Sequence, residues 1–187
     1  MLATLTAETE TGLVEMAQQG DRGAFGELVR HHHAGMVNVV YRMCGDAQLA
    51  EDAAQEAFLQ AWLHLSTFRP GSSLRNWLYR IAVNEALDTL RRERRVPQDL
   101  ETVPVEDPAP GPERVLLQHE RARRVQGAIL SLTEANRAVL VLREYGRFSY
   151  QEIGTALDIP IGTVMSRLNY ARNRLRGLLA DLESDHD

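Results

Sequence analysis

Hydrophobic positions recur at helical spacing along most of the chain, and no segment shows the two-residue alternation of a half-buried strand. The pattern predicts a short opening helix followed by helices near 21–43, 46–66 and 73–94. A second series follows near 113–130, 133–145, 149–158 and 160–182. Between the two series, PQDLETVPVEDPAPGP holds five of the seven prolines. Proline fixes φ and lacks an amide donor, so this run sustains neither a helix nor a central strand and reads as an extended acidic linker. The expected fold class is all-α, with two small helical domains over 10–95 and 113–182 joined by a linker over 96–112. No internal repeat is evident.

The clearest pattern lies in 149–176, SYQEIGTALDIPIGTVMSRLNYARNRLR. Ser149 followed by Glu152 forms a capping box that starts one helix just after the Gly146–Phe148 turn, and Pro160 opens the next. At 100° per residue, Val164, Leu168, Ala171 and Leu175 fall on one stripe and form the packed face. The other face presents Ser166, Asn169, Tyr170 and Asn173, flanked by Arg167, Arg172 and Arg174. Amides and hydroxyls bond base edges, whereas guanidinium groups pair with phosphates. Helix-turn-helix spacing with this make-up is that of a major-groove recognition helix, with an ordinary solvated helix as the alternative.

Within 46–66, Ala50, Ala53, Ala54, Ala57, Phe58, Ala61 and Leu65 make the inward stripe. The outward face sets Asp52, Gln55 and Glu56 beside Leu59 and Leu63. A leucine ridge ringed by carboxylates suits docking on a basic, partly apolar partner, although single exposed leucines are common on plain surfaces. In 73–94, Leu74, Leu78 and Ile81 face one way and Val83, Ala86, Leu87 and Leu90 another. A third strip carries Trp77, Arg80, Asn84 and Arg91, which suits stacking on unpaired bases while holding their backbone. Two readings of Trp77 stand side by side, as a base-stacking group and as a core residue.

Net charge is −5, which looks wrong for a nucleic-acid binder until it is resolved along the chain. Residues 163–176 carry four Arg and no acid, while 46–60 carry four acids and no base. The local field, not the total, attracts DNA. All 21 basic residues are Arg, whose forked donors match phosphate and guanine. Cys44 is the only cysteine, which excludes an internal disulfide and a cysteine-rich zinc site, and it reads as a small buried apolar residue in an interhelical turn, with a redox sensor as the alternative. His31, His32 and His33 point about 100° apart on a helix and cannot converge on one ion, so they read as surface histidines. No metal, cofactor or catalytic set is expected, and the chain does not read as an enzyme. With no signal-peptide pattern and no apolar run of spanning length, the expected location is cytoplasmic, without direct membrane insertion.

Three ordered blocks, AEDAAQEAFLQAW, FRPGSSLRNWLYRIAVNEALDTLRRERR and SYQEIGTALDIPIGTVMSRLNYARNRLR, resemble the signatures of extracytoplasmic-function (group IV) sigma factors. These are small promoter-specificity subunits of bacterial RNA polymerase. The resemblance implies a region-2 domain, a region-4 domain and no third domain between them. It assigns Asp52, Gln55 and Glu56 to core RNA polymerase, which matches the Leu59 and Leu63 ridge read from the face of the same helix. It assigns the loop Phe68–Arg75 and the helix carrying Trp77, Tyr79 and Asn84 to opening and reading the −10 element of promoter DNA, where Arg80 and Arg91 of the same strip join them. Thr163, Met165, Ser166, Arg167, Asn169, Tyr170, Arg172 and Arg174 fall on the −35 element. Met165 and Tyr170 stand where basic residues are common in the family, so the −35 sequence cannot be copied from a relative. An anti-sigma factor is the implied regulator. The rival reading, an autonomous helix-turn-helix repressor or activator, leaves the AEDAAQEAF block unexplained.

Overall fold

The computed structural model describes residues 7–69, 72–93 and 113–183, so the 96–112 linker expectation lies outside the described residues. Eight α-helices and one 3-10 turn make up the regular structure among the described residues. They are α1 (Ala7–Gln18), α2 (Arg22–Cys44), α3 (Ala47–His64), the turn Leu65–Thr67, α4 (Leu74–Glu93), α5 (Glu113–Leu130), α6 (Glu134–Glu144), α7 (Tyr150–Leu157) and α8 (Ile161–Glu183). The two helical series of the sequence are both present, and each predicted helix lies within a few residues of its expected place.

In the first domain α2 packs against α1, α3 and α4. Asp21 caps α2 by accepting from the amides of Gly23 and Ala24 at 2.8 and 3.1 Å, and Gly45 ends it at φ +80°, a left-handed conformation favoured by glycine. Asp46 then caps α3 through the Leu49 amide at 2.8 Å. The small side chains of Ala50, Ala53, Ala54, Ala57 and Ala61 are all buried, which lets α3 lie close to its neighbours. Gln18 ties α1 to the end of α3, donating to the carbonyls of Leu65 and Phe68 at 3.0 Å each.

In the second domain Ala138, Val139, Leu140, Val141 and Leu142 are consecutive and all buried, so α6 is surrounded by its neighbours rather than merely amphipathic. The capping box at α7 is complete: Ser149 Oγ accepts from the Glu152 amide, and Glu152 returns to the Ser149 amide at 2.7 Å. Asp158, at φ 52°, closes α7, and Pro160 opens α8 by accepting from the amides of Thr163 and Val164.

The two domains lie directly against one another, α2 on α5 and α6, and α4 on α7. One hydrophobic cluster runs through both, from Val14 to Ala171. The junction also carries polar bonds. Arg137 on α6 donates to the Met43 carbonyl at the end of α2. Gln126 on α5 donates to the Tyr41 carbonyl at 3.2 Å and accepts from Arg42 at 2.8 Å. Asn76 on α4 donates to Glu152 on α7, and the rings of Tyr79 and Phe148 stack at 6.2 Å.

Candidate functional site

Three surfaces carry the residues singled out by the sequence. On α3 the alanine stripe faces inward, which leaves Leu59 and Leu63 51% and 60% exposed on the opposite side. Leucines so open on a helix already buried along one face have no packing role among the described residues. Asp52 and Gln55 are exposed beside them and Glu56 is half-buried. Gln48 donates to Asp52 at 3.0 Å and Gln60 to Glu56 at 2.8 Å. Burial, reinforced by Glu56 and Asp88, pushes the Glu85 carboxyl on α4 above its usual range, so the acidic field continues onto the neighbouring helix.

The α4 strip is only partly as expected. Arg80 and Asn84 are exposed, while Trp77 is half-buried with its ring tilted against Phe68 at 5.4 Å. They line a cleft of about 450 Å³ whose far wall is formed by Thr155, Ala156 and Asp158 of α7. Two assigned residues are enclosed in this arrangement. Phe68 is buried beneath Trp77, and Tyr79 is buried between Arg75, whose guanidinium lies 4.6 Å from its ring centroid, and Phe148. Apolar rings with this much available contact pack inward. Arg91, exposed, pairs with Asp88 at 2.9 Å.

On α8 the inward stripe is confirmed: Val164, Leu168 and Ala171 are buried and Leu175 is half-buried. Ser166, Asn169, Tyr170, Asn173 and Arg174 are exposed, with Thr163 and Arg167 half-buried. Two groups are already engaged. Ser166 Oγ donates to the Thr163 carbonyl at 3.0 Å, and Arg172 reaches Glu144 on α6 at 2.8 Å. Arg172, expected to serve DNA, is thus held by a carboxylate of its own domain.

The histidine run also departs from the sequence reading. His32 is buried, not on the surface, and its Nε2 lies 2.9 Å from Glu10 on α1. Burial holds its ring below the usual imidazole range although Glu10 pulls the other way. His33 Nε2 lies 3.2 Å from Glu51 on α3. The rings thus engage different helices, in line with their divergent directions. Cys44 is half-buried at the end of α2. Sequence reasoning missed Gln126, Arg137 and Asn76 at the domain junction, because only the fold reveals what they reach. No helix among the described residues is long and apolar enough to cross a membrane.

Comparison with known proteins places the chain in one class. The family model for Sigma-70 region 2 matches residues 28–96, and that for Sigma-70 region 4 matches residues 128–177. The RNA polymerase sigma-H factor of Pseudomonas aeruginosa is 38% identical over 95% of this chain and 97% of its own length. The ECF RNA polymerase sigma-E factor of Escherichia coli K12 is 36% identical over 89% of this chain and 92% of its own. Among solved structures, CnrH in complex with the cytosolic domain of CnrY superposes with a TM-score of 0.69 at 25% identity, covering 92% of this chain and 98% of that one. RpoE in complex with the anti-sigma factor NepR from Bartonella quintana gives 0.67 at 28% identity, covering 83% and 96%. The chain belongs to the extracytoplasmic-function sigma factors of the sigma-70 family. It is a bacterial transcription initiation factor that directs RNA polymerase to promoters, and the reading as an autonomous repressor or activator falls away.

Proposed function

We propose that the three surfaces divide the work of initiation. Asp52, Gln55, Glu56, Leu59 and Leu63 dock α3 on core polymerase. Trp77, Arg80 and Asn84, with Arg75 and Arg91 at either end, open and read the −10 element. Thr163, Met165, Ser166, Arg167, Asn169, Tyr170 and Arg174 set α8 in the major groove of the −35 element. The work is binding rather than catalysis, carried out in the cytoplasm, with region 2 over 10–95 and region 4 over 113–182. An anti-sigma factor regulates it. Two structural neighbours were solved with a partner, the cytosolic domain of CnrY in one case and the anti-sigma factor NepR in the other.

The observation that carries this reading is the Leu59–Leu63 ridge, open to solvent and ringed by acids on a helix whose other face is fully packed. Leu59→Arg sets an unmatched cation in that patch and is expected to weaken association with core polymerase by about 1 kcal/mol or more. Asn84→Ala is expected to leave that association intact while reducing transcription from duplex promoters. Titration of labelled core polymerase and run-off transcription measure the two effects. Undiminished core binding by Leu59→Arg would remove the ridge from the interface.

A further inference from the structure

The first turns of α8 present less polar reading capacity than their sequence suggests. The Ser166 hydroxyl donates back to its own helix at 3.0 Å, and Asn169 Oδ1 accepts from Asn173 at 3.4 Å. Arg172 is turned aside onto Glu144. Two large apolar side chains instead stand in the open: Ile161 is 48% exposed and Met165 54% exposed. They lie four residues apart on one edge of the helix, side by side. Nothing in the chain's own core requires them there, because Val164, Leu168 and Ala171 already fill the packed stripe. Their edge adjoins the arginine-rich, acid-free face of 163–176 that suits a DNA backbone.

The major groove offers one apolar landmark, the 5-methyl group of thymine; the other base edges present donors and acceptors. A thioether side chain has no strong donor with which to bond a purine edge, but it is long, flexible and polarizable enough to cover a methyl group. We infer that Met165, with Ile161 beside it, selects thymine at one position of the −35 element by covering its 5-methyl group. The inference rests on α8 lying in the −35 major groove and adds to that reading the base and the chemical group it recognises. It also gives a role to a side chain that stands where family members often place a basic residue.

The test uses holoenzyme, reconstituted from core polymerase and the full chain, and −35 duplexes first selected from a random library. Each thymine of the selected element is then replaced by uracil, which differs only in lacking the methyl group. At one thymine, uracil is expected to weaken binding about fourfold, the equivalent of one methyl group left uncovered. Met165→Ala should weaken the thymine duplex by a similar factor and bind the thymine and uracil duplexes alike. Met165→Leu, still apolar, should keep the discrimination, whereas Met165→Gln should lose it. A selected element without thymine, tolerance of uracil at every position, or an undiminished uracil penalty in Met165→Ala would each overturn the inference. Asn169→Ala and Arg174→Ala holoenzymes distinguish the two levels. If both bind every −35 duplex as the unsubstituted protein does, α8 is not the reading helix and both readings fall. If they are weakened while uracil is tolerated, only the thymine assignment falls.

Discussion

The guanidinium of Arg137 donates to the carbonyls of Met43, Leu130 and Leu132 from a position 7% exposed. Met43 and Leu130 lie in the last turns of α2 and α5, where helix carbonyls lack intrahelical partners and the macrodipole is negative. One side chain therefore satisfies two helix ends from different domains and offsets their partial charge. Charged hydrogen bonds contribute about 1.5–3 kcal/mol each, and a buried carbonyl stripped of its donor carries its own desolvation cost. Arg137→Met is expected to lower stability by about 2 kcal/mol or more. Arg137→Lys keeps the charge but loses the planar fork, and should recover only part of that loss. Urea unfolding of the three proteins reads the effect; equal midpoints for Arg137→Met and the parent would show that the carbonyls find other partners. Such residues are invisible to periodicity. The Met43 carbonyl that Arg137 reaches lies 94 positions away, and His32, whose neighbours gave no hint of burial, meets a glutamate 22 positions away.

At the scale of single helices the chain was far more legible, because its boundaries are set by local chemistry. Ser149 and Glu152 start α7 where the capping box placed them, and Pro160 opens α8. Loss of the Ser149 hydroxyl in Ser149→Ala is expected to cost about 1 kcal/mol. The Glu152 carboxyl is held below its usual range chiefly by the Ser149 amide, then by the Ser149 side chain, with Asn76 and Arg75 adding to it. A carboxyl depressed in the folded state contributes stability above its unfolded pKa and loses it as the pH falls through the folded value. Stability should therefore decline on acidification through and below the ordinary glutamate range, and Glu152→Gln should flatten that decline. Thermal midpoints between pH 7 and pH 3 measure it, and identical slopes for the two proteins would refute the linkage. The faces of α3 and α8 were equally readable, since alanines and aliphatics at helical spacing leave one solution for what points inward. The α4 helix was not. It packs on both α2 and α7, so Tyr79, which the face analysis left unplaced, is enclosed by a domain whose approach no local pattern announces.

For the molecule as a whole, the decisive feature is that α7 lies over the α4 strip, walling the cleft that Trp77, Arg80 and Asn84 line. A strand stacked on that surface would occupy the space now held by Thr155, Ala156 and Asp158. On the proposed reading of the α4 strip, promoter engagement requires the domains to part. The free chain should scatter as a compact particle with a radius of gyration of about 16 Å. A donor–acceptor dye pair on Ser73 and Gln151 should show high energy transfer in the free factor and low transfer in the holoenzyme. Equal transfer in both states would mean that the closed packing survives assembly. The bonds across this junction join residues 76 to 94 positions apart, whereas each helix forms from contacts within its own turns. Contacts so distant in sequence close late. During synthesis at about 5–20 residues per second, the first domain has emerged whole roughly three to thirteen seconds before α7, the helix that will cover its α4 strip. Every newly made copy thus passes through an interval in which its α4 strip is bare, set by the pace of the ribosome rather than by any regulator.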